Sequence, residues 1–149
     1  MMLTGSAAIP KEVIDFMTIA MCAPMCEGYG QTETGGASTF TDLEDIHAAG
    51  TVGSVKRSLD MKVIDVPELD YLHTDEVDGV LRPRGELCFR GTTLFSGYLK
   101  DPVKSAETMD DEGWLHTGDI GEILPNGSVR IIDRKKDIFK LNQGEYIAP

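Results

Sequence analysis

The first regular pattern of apolar positions follows Pro10. Proline suits the start of a helix, because its φ angle is already close to the helical value. Apolar side chains then recur at three- and four-residue spacing, the period of one face of an α-helix: Val13, Ile14, Phe16, Met17, Ala20 and Met21. The pattern therefore predicts a helix over about residues 10–21.

After this helix the apolar runs become short and are bounded by glycine. Residues 25–29 predict a strand that leads into a turn over residues 28–33. Residues 34–50 are rich in Gly, Thr and Asp, and they predict a loop. This first part of the chain therefore has the character of a short α/β unit.

The pattern from Val52 onward is typical of short strands joined by turns. Strands are predicted at residues 62–66, which alternate, and at residues 85–91, which are framed by glycines. Asp101 as N-cap and Pro102 at the first helical position predict a helix over residues 102–108. The sequence PNG at 125–127 predicts a hairpin between strands at 121–124 and 128–133, because Asn-Gly tolerates positive φ.

These elements together predict an α+β fold, in which a short α/β piece is followed by a mainly antiparallel, β-barrel-like subdomain. The composition is ordinary for a globular domain, with 41% hydrophobic and 26% charged residues. No apolar run approaches the roughly 20 residues that cross a bilayer. The sequence therefore predicts no membrane-spanning helix.

The net charge limits the partners. The formal charge of −11 would repel a nucleic-acid backbone, so we expect no nucleic-acid partner. A local basic segment suits a small anionic ligand instead: Arg130, Arg134, Lys135, Lys136 and Lys140. A nucleotide is the ligand that fits this charge distribution.

The cysteines and histidines do not form a metal-binding pattern. Cys22, Cys26 and Cys88 are odd in number, and neither they nor the three histidines have ligand spacing. Reduced thiols are the expectation, which favours the cytoplasm.

Two motifs carry the candidate chemistry. The sequence GYGQTET at residues 28–34 resembles the adenine and Mg-ATP motif of the adenylate-forming (AMP-binding) superfamily. Residues 111–149, from DEGWLHTGD through RIIDRKKDIFK to NQGEYIAP, resemble the fatty-acyl-CoA synthetase signature of the same superfamily. The wording of the second motif, together with DVPEL at 65–69, is similar to the long-chain branch.

The resemblance implies how the chain is divided. It implies an α/β parent protein with the end of its AMP-binding N-terminal domain at residues 1–50 and a β-rich subdomain at 51–132. It also implies a hinge linker at 133–138 and the start of a truncated small domain at 139–149. The family's phosphate loop and small-domain lysine have no equivalent in this sequence, so we expect a partial chain that is inactive alone.

The first motif implies a site for adenine, phosphate and metal. Tyr29 matches the aromatic platform for the purine, flanked by Gly28 and Gly30, which let a ligand approach the backbone. Thr32 is implied in phosphate handling, and Glu33 is implied as the contact of Mg²⁺, a cation that prefers oxygen ligands. A core tyrosine and an ordinary turn remain the alternatives for these positions.

The second motif implies residues for the ribose and for domain movement. Asp119 matches the acid that accepts from the ribose hydroxyls, and Arg134 matches the cation beside ribose and phosphate. Lys136 aligns with the hinge between the two catalytic conformations, and Lys140 aligns with a lysine that approaches the site during thioester formation. A turn aspartate and a solvated basic run remain the alternatives.

The resemblance implies a long-chain fatty-acyl-CoA synthetase. Its substrates would be fatty acid, ATP and coenzyme A, with AMP as a product, Mg²⁺ as cofactor, and peripheral association of the parent with the cytosolic face of membranes. Two alternatives stay open: a ligase for another carboxylic acid, and a non-catalytic nucleotide-binding module.

Overall fold

A computed structural model describes residues 1–7, 9–45, 48–135, 137, 139–140 and 146–147, with only backbone pairing for the last two pairs. Two 3-10 turns, Thr32–Thr34 and Pro67–Leu69, accompany the helices and strands. The helices and strands, in chain order, are β1 (Met2–Gly5), α1 (Lys11–Ala20), β2 (Met25–Gln31), β3 (Gly36–Phe40), β4 (Ser54–Val55), β5 (Leu59–Ile64), β6 (Glu76–Val77), β7 (Val80–Leu81), β8 (Arg84–Gly91), α2 (Pro102–Thr108), β9 (Leu115–Ile123), β10 (Val129–Arg134), β11 (Phe139–Lys140) and β12 (Tyr146–Ile147).

The first sheet is built on a parallel pair. Strands β1 and β2 run parallel and are connected through α1, and β3 and β4 add antiparallel strands in the order β1-β2-β3-β4. A parallel pair needs a crossover connection, which α1 provides. The predicted helix at 10–21 is confirmed, and Ile14 is its buried residue.

The second sheet is entirely antiparallel, in the order β10-β9-β8-β5. Apolar side chains of this sheet, together with Val52 before β4, form the main core cluster: Val52, Leu59, Leu87, Phe89 and Val129. Leu87 and Phe89 on the central strand β8 are 0% exposed. The α+β class and the mainly antiparallel second part are therefore as the sequence predicts.

The local signals at α2 and at the hairpin are confirmed in detail. The Asp101 carboxylate accepts a hydrogen bond of 3.0 Å from the Lys104 backbone N–H, as an N-cap does. Between β9 and β10, Gly127 adopts a φ of 81°. Asn126 Oδ1 accepts from the Ser128 backbone N–H at 3.0 Å. Asn-Gly therefore supplies the turn, as its chemistry predicts.

The predicted loop over residues 34–50 is wrong in part, because β3 lies within it. Strand β3 pairs with β2, from Gln31↔Gly36 to Gly28↔Phe40. Its sequence, GASTF, is short and polar, and its pairing with β2 on one side and β4 on the other makes it a strand. The strand predicted at residues 62–66 is also displaced. It is β5, Leu59–Ile64, whose bounds are set by its pairing with β8.

Some predictions lie outside the described residues. Lys136 is not described, and for Lys140 only the backbone pairing of β11 with β12 is described. The domain division at residue 50 stays a prediction. In the described part of the chain, neither helix has the length and apolar character needed to cross a membrane.

Leu87 offers a test of the main core. We expect Leu87→Ala to lower the free energy of unfolding by about 2–5 kcal/mol, because it removes a fully buried side chain and leaves a cavity. Urea unfolding measures this change. Leu99→Ala is the matched control, since Leu99 is 90% exposed, and should cost under about 0.5 kcal/mol. Equal losses for the two variants would contradict this account of the core.

Candidate functional site

An open cleft of about 1270 Å³ lies between the two sheets. One wall comes from the first sheet and its 3-10 turn, and the other comes from β9 and the end of β10. Six of the residues that the sequence analysis selected line this cleft: Gly28, Gly30, Thr32, Glu33, Asp119 and Arg134. Tyr29 lines an adjoining cavity of about 350 Å³, which shares Asp119 and Arg134 with the cleft. Residues that are about 90 positions apart in the sequence therefore meet at one site.

The turn that carries Thr32 and Glu33 is fixed by its own hydrogen bonds. The Thr34 hydroxyl accepts from the Gln31 backbone N–H at 2.9 Å and lies 2.6 Å from the Gly36 carbonyl oxygen. Gly35 closes the turn with a φ of 69°, and a Cβ there would lie 2.4 Å from the Thr93 carbonyl oxygen. The turn therefore presents Thr32 and Glu33 at the cleft in one backbone conformation.

A buried carboxylate, Asp119, lies at the centre of the site. It is 6% exposed, and its Oδ2 accepts from the Tyr29 hydroxyl at 2.6 Å and from Gln31 Nε2 at 2.9 Å. Arg134 Nε lies 3.7 Å from the other oxygen, Oδ1. Hydrogen bonds and a cation offset the cost of burying this charge. Oδ1 has only this longer contact with Arg134, whereas Oδ2 already accepts two hydrogen bonds. Oδ1 is therefore the better placed oxygen to accept a hydrogen bond from a ligand.

The register of the hairpin explains why Arg134 meets Asp119. The two residues are paired across β10 and β9 after a bulge between Ile131 and Asp133. Bulges redirect side chains and are common beside functional sites. A regular register would have paired a different residue with Asp119, so the bulge aligns the cation with the carboxylate.

Burial and charge both act on Tyr29. Burial, and next the neighbouring negative charge of Asp119, raise the pKa of the Tyr29 hydroxyl well above its ordinary value. The phenol therefore stays protonated at physiological pH and donates to Asp119. In this structure Tyr29 is a hydrogen-bond donor to the carboxylate, in addition to presenting a ring between Gly28 and Gly30.

Two residues of the site were not selected from the sequence. Gln31 lies inside the GYGQTET motif, and its amide donates to Asp119 and, at 2.9 Å, to the Thr117 carbonyl oxygen. Tyr98 lies in the segment between β8 and α2, and its hydroxyl donates to Glu33 Oε1 at 2.5 Å. The motif could have indicated Gln31, whereas nothing near Tyr98 in the sequence indicates its partner.

Glu33 fits a role as a contact of Mg²⁺. Its carboxylate lines the cleft, one oxygen is held by Tyr98, and carboxylate oxygen is the ligand type that Mg²⁺ prefers. Among the described residues, no group of three or more acidic, His or Cys side chains could enclose a metal. A single carboxylate fits a cation that keeps several of its waters.

One cysteine resembles a catalytic nucleophile in its surroundings but not in its chemistry. Cys88 Sγ lies 3.6 Å from His116 Nδ1, and His116 Nε2 lies 3.4 Å from Asp110 Oδ2. Burial, and next the charge of Glu86, raise the pKa of the Cys88 thiol to about 12. The thiolate is the nucleophilic form of cysteine, so Cys88 stays unreactive at neutral pH.

Comparison with known proteins identifies the family. The family model described as AMP-binding enzyme matches residues 1–99 of this chain. The chain belongs to the AMP-binding enzyme family. The resemblance drawn from GYGQTET and from the C-terminal signature is thereby confirmed.

The curated relatives are fatty-acid-activating enzymes by name. The chain is 46% identical over 148 residues to long chain acyl-CoA synthetase 6, peroxisomal, of Arabidopsis thaliana, covering 99% of this chain and 20% of that protein. It is 47% identical over 149 residues to long-chain-fatty-acid–CoA ligase 1 of Homo sapiens, covering 100% of this chain and 20% of that protein. The chain thus spans about a fifth of the length of these relatives.

Solved structures of adenylate-forming domains share the fold. The adenylation domain of the carboxylate reductase from Mycobacterium chelonae has a TM-score of 0.82 and 36% identity, covering 98% of this chain and 20% of that chain. The corresponding domain from Segniliparus rugosus, described as a complex with AMP and a carboxylic acid, has a TM-score of 0.82 and 33% identity, covering 98% and 21%. These similarities agree with a mixed α/β architecture.

Glu27 provides a test of the burial of charge beside this AMP-binding-family cleft. Glu27 is 7% exposed and lines the smaller cavity. Burial raises its pKa above the ordinary value of 4.5, and a hydrogen bond from the Ile9 backbone N–H acts in the opposite direction. Because the folded pKa is raised, the stability from Glu27 is present below pH 4.5 and is lost as the pH rises above it.

We therefore expect Glu27→Gln to stabilise the protein relative to wild type at pH 7, and to lose this advantage at pH 4. Urea unfolding at both values measures the difference. Glu12→Gln, at an exposed position of α1, controls for the removal of one negative charge. If the free energy of unfolding of wild type increased relative to that of Glu27→Gln as the pH rises, the assigned direction of the Glu27 pKa shift would be wrong.

Proposed function

We propose that this chain supplies the nucleotide-binding cleft of a long-chain fatty-acyl-CoA synthetase. In this reaction a fatty-acid carboxylate attacks the α-phosphorus of ATP, giving an acyl-adenylate and pyrophosphate. The thiol of coenzyme A then attacks the acyl carbon, and AMP leaves. The observation that carries the proposal is that Asp119 and Arg134 lie where the cleft with Glu33 adjoins the cavity with Tyr29, in a chain of this family.

Asp119 and Arg134 are proposed to bind the ribose. Adjacent ribose hydroxyls are hydrogen-bond donors, and Asp119 Oδ1 is the carboxylate oxygen that keeps capacity to accept one of them. Arg134 is 3.7 Å from that oxygen and is exposed enough to contact the sugar or a phosphate. Its planar guanidinium suits paired oxygen acceptors.

Tyr29, Gly28 and Gly30 are proposed to form the adenine surface. Both glycines line the cleft beside the tyrosine, and the space that a side chain would need at either position is taken by strand β3. Tyr29 also keeps Asp119 in place through its hydroxyl, which couples the purine surface to the ribose acid. A ligand that stacks on the ring would therefore find the carboxylate already oriented.

Thr32 and Glu33 are proposed to act at the phosphate end. Thr32 is exposed on the fixed turn and offers a hydroxyl to a phosphate oxygen. Glu33 would hold Mg²⁺, which neutralises phosphate charge when it is bound. The pair lines the same cleft as Arg134, so one ligand could contact all three residues.

The roles of Lys136 as hinge and Lys140 in thioester formation stay proposals that rest on the family resemblance. The proposal of coenzyme A and fatty acid as substrates is based on the names of the relatives. Two of these, a long chain acyl-CoA synthetase and a long-chain-fatty-acid–CoA ligase, are 46–47% identical to this chain. Location in the cytoplasm, at the cytosolic face of membranes, is likewise proposed. Two of the relatives are named as peroxisomal.

A ligase for another carboxylic acid is the second candidate. It is favoured by the similarity to adenylation domains of carboxylate reductases, at 33–36% identity. Both candidates need the same adenylate-binding cleft, and they differ in the acid that is activated. The higher identity to long-chain synthetases supports the first.

Binding of an unreactive acyl-adenylate analogue tests the proposed cleft. In an amide-resolved NMR titration, we expect shifts centred on Tyr29, Thr32, Asp119 and Arg134. Asp119→Ala should weaken binding by about one to two decades for each hydrogen bond lost, because bonds to a charged group are worth about 1.5–3 kcal/mol. Asp119→Asn, which keeps the side-chain shape, should also weaken binding.

Asp60→Ala is the control for the loss of an acidic side chain, since Asp60 pairs with Arg90 at an exposed part of β5. It should bind the analogue as wild type does. A well-dispersed spectrum that shows no shifts at the cleft, or equal binding by Asp119→Ala and wild type, would contradict the proposal.

Turnover by the chain alone gives a second test. We expect no acyl-CoA above background from fatty acid, ATP, Mg²⁺ and coenzyme A, because these 149 residues hold no equivalent of the family's phosphate loop and small-domain lysine. Loss of one such electrostatic contact can cost about 2.7–4 kcal/mol of transition-state stabilisation. Thioester formation, followed by mass spectrometry, would contradict this expectation.

A further inference from the structure

Tyr98 contacts the candidate metal residue from outside both motifs. Its hydroxyl donates a hydrogen bond of 2.5 Å to Glu33 Oε1, across 65 positions of sequence. Within the described residues, no hydrogen bond reaches the other oxygen, Oε2, and Glu33 lines the cleft. One carboxylate oxygen is therefore held by the protein, and the other keeps its capacity to bind a ligand.

The Tyr98 side chain is itself held in position. Its backbone N–H donates to Ser105 Oγ at 2.8 Å, and its ring meets Phe95 edge-on with 4.9 Å between the centroids. Lys104 Nζ lies 4.3 Å from the centre of the same ring. The first turn of α2 thus fixes the ring, and the ring fixes the direction of the hydroxyl.

The segment that carries Tyr98 is also tied directly to the turn that carries Glu33. The Phe95 backbone N–H donates to the Glu33 carbonyl oxygen at 2.8 Å. Gly97 lets the chain approach α2, because its φ is 129° and a Cβ there would lie 2.9 Å from Ser105 Oγ. Backbone and side chain of Glu33 are therefore both bound by residues 95–98.

Packing alone does not require the hydroxyl. A phenylalanine at this position would keep the contacts with Phe95 and Lys104, and it would lose the hydrogen bond to Glu33 and the weaker contact of the hydroxyl with Thr108. A carboxylate at the rim of an open cleft has several rotamers available, and fixing one of them lowers the entropic cost of binding a ligand.

We propose that Tyr98 is a positioning residue for Glu33: it holds one carboxylate oxygen so that the other is presented to the divalent cation that accompanies the nucleotide. This inference rests on the proposed function, because it takes Glu33 as the cation contact. It adds to the site a residue from the segment between β8 and α2. The segment thereby becomes part of the binding machinery as well as a connection.

Paramagnetic broadening by Mn²⁺ alone tests the proposal on the 149-residue chain. In wild type, we expect Mn²⁺ to broaden the amide signals of Glu33, Thr34 and Gly35 first. Tyr98→Phe should need about three- to tenfold more Mn²⁺ for the same broadening, because a hydrogen bond to a charged group is lost. Glu33→Gln should abolish the local broadening.

Tyr71→Phe is the matched control. Tyr71 packs beside Arg84 at a distance from the cleft, so removal of its hydroxyl should leave the Mn²⁺ dependence unchanged. Ser105→Ala is a second variant that keeps the Tyr98 hydroxyl and loosens its backbone. It should shift the Mn²⁺ dependence in the same direction by a smaller factor, and it decides the question if Tyr98→Phe does not give a dispersed spectrum.

Equal Mn²⁺ dependence in wild type and Tyr98→Phe would overturn the proposal, and so would a wild type without broadening at Glu33. The acyl-adenylate analogue titration separates this result from the proposed function, since it detects the ribose end of the cleft without metal. If the analogue binds but Tyr98→Phe does not change the Mn²⁺ dependence, the proposed role of Tyr98 is wrong and the proposed nucleotide cleft stands. If Mn²⁺ broadening depends on Tyr98 but the analogue does not bind, the positioning role of Tyr98 is supported and the proposed nucleotide cleft is contradicted.

Discussion

The hydrogen bonds to the buried carboxylate of Asp119 are the interaction on which the site depends. The acceptor lies on β9 of the second sheet, and the donors Tyr29 and Gln31 lie on β2 of the first, so the pair of bonds crosses the boundary between the sheets. Leaving such a charge buried without partners would cost several kcal/mol. The arrangement of the two sheets and the geometry of the cleft are therefore fixed by the same contacts, and a change in either one affects the other.

Close backbone approach is the second constraint. A Cβ at Gly30 would lie 2.1 Å from the Gly36 carbonyl oxygen, so β2 and β3 can pair at this point only because Gly30 has no side chain. The pairing is also irregular, with a register shift between Tyr29 and Gly30. Directly after this irregularity the chain continues into the fixed turn with Thr32 and Glu33. The glycines of the motif thus serve the fold, because strand β3 occupies the space that a side chain would need.

The candidate site was predicted unevenly from the sequence. Tyr29, Glu33, Asp119 and Arg134 could be selected because each lies in a motif whose residue types suit a nucleotide. Strand β3 was missed because its polar sequence carries no periodic signal and becomes a strand through pairing with β2. Tyr98 was missed because its function depends on a partner 65 positions away. Both failures concern contacts that the local pattern does not show: pairing with a neighbouring strand for β3, and a distant partner for Tyr98.

What the sequence alone determined was local: helix α1 from its apolar period, the start of α2 from Asp101 and Pro102, the hairpin from Asn126 and Gly127, and the family from two motifs. These follow from preferences of a few neighbouring residues. The tertiary structure alone decided which side chains meet: Tyr29 with Asp119, Arg134 with Asp119 through a bulge, and Tyr98 with Glu33. The physical reason is that strand register and sheet packing set these distances, and both are determined by contacts between segments far apart in the chain.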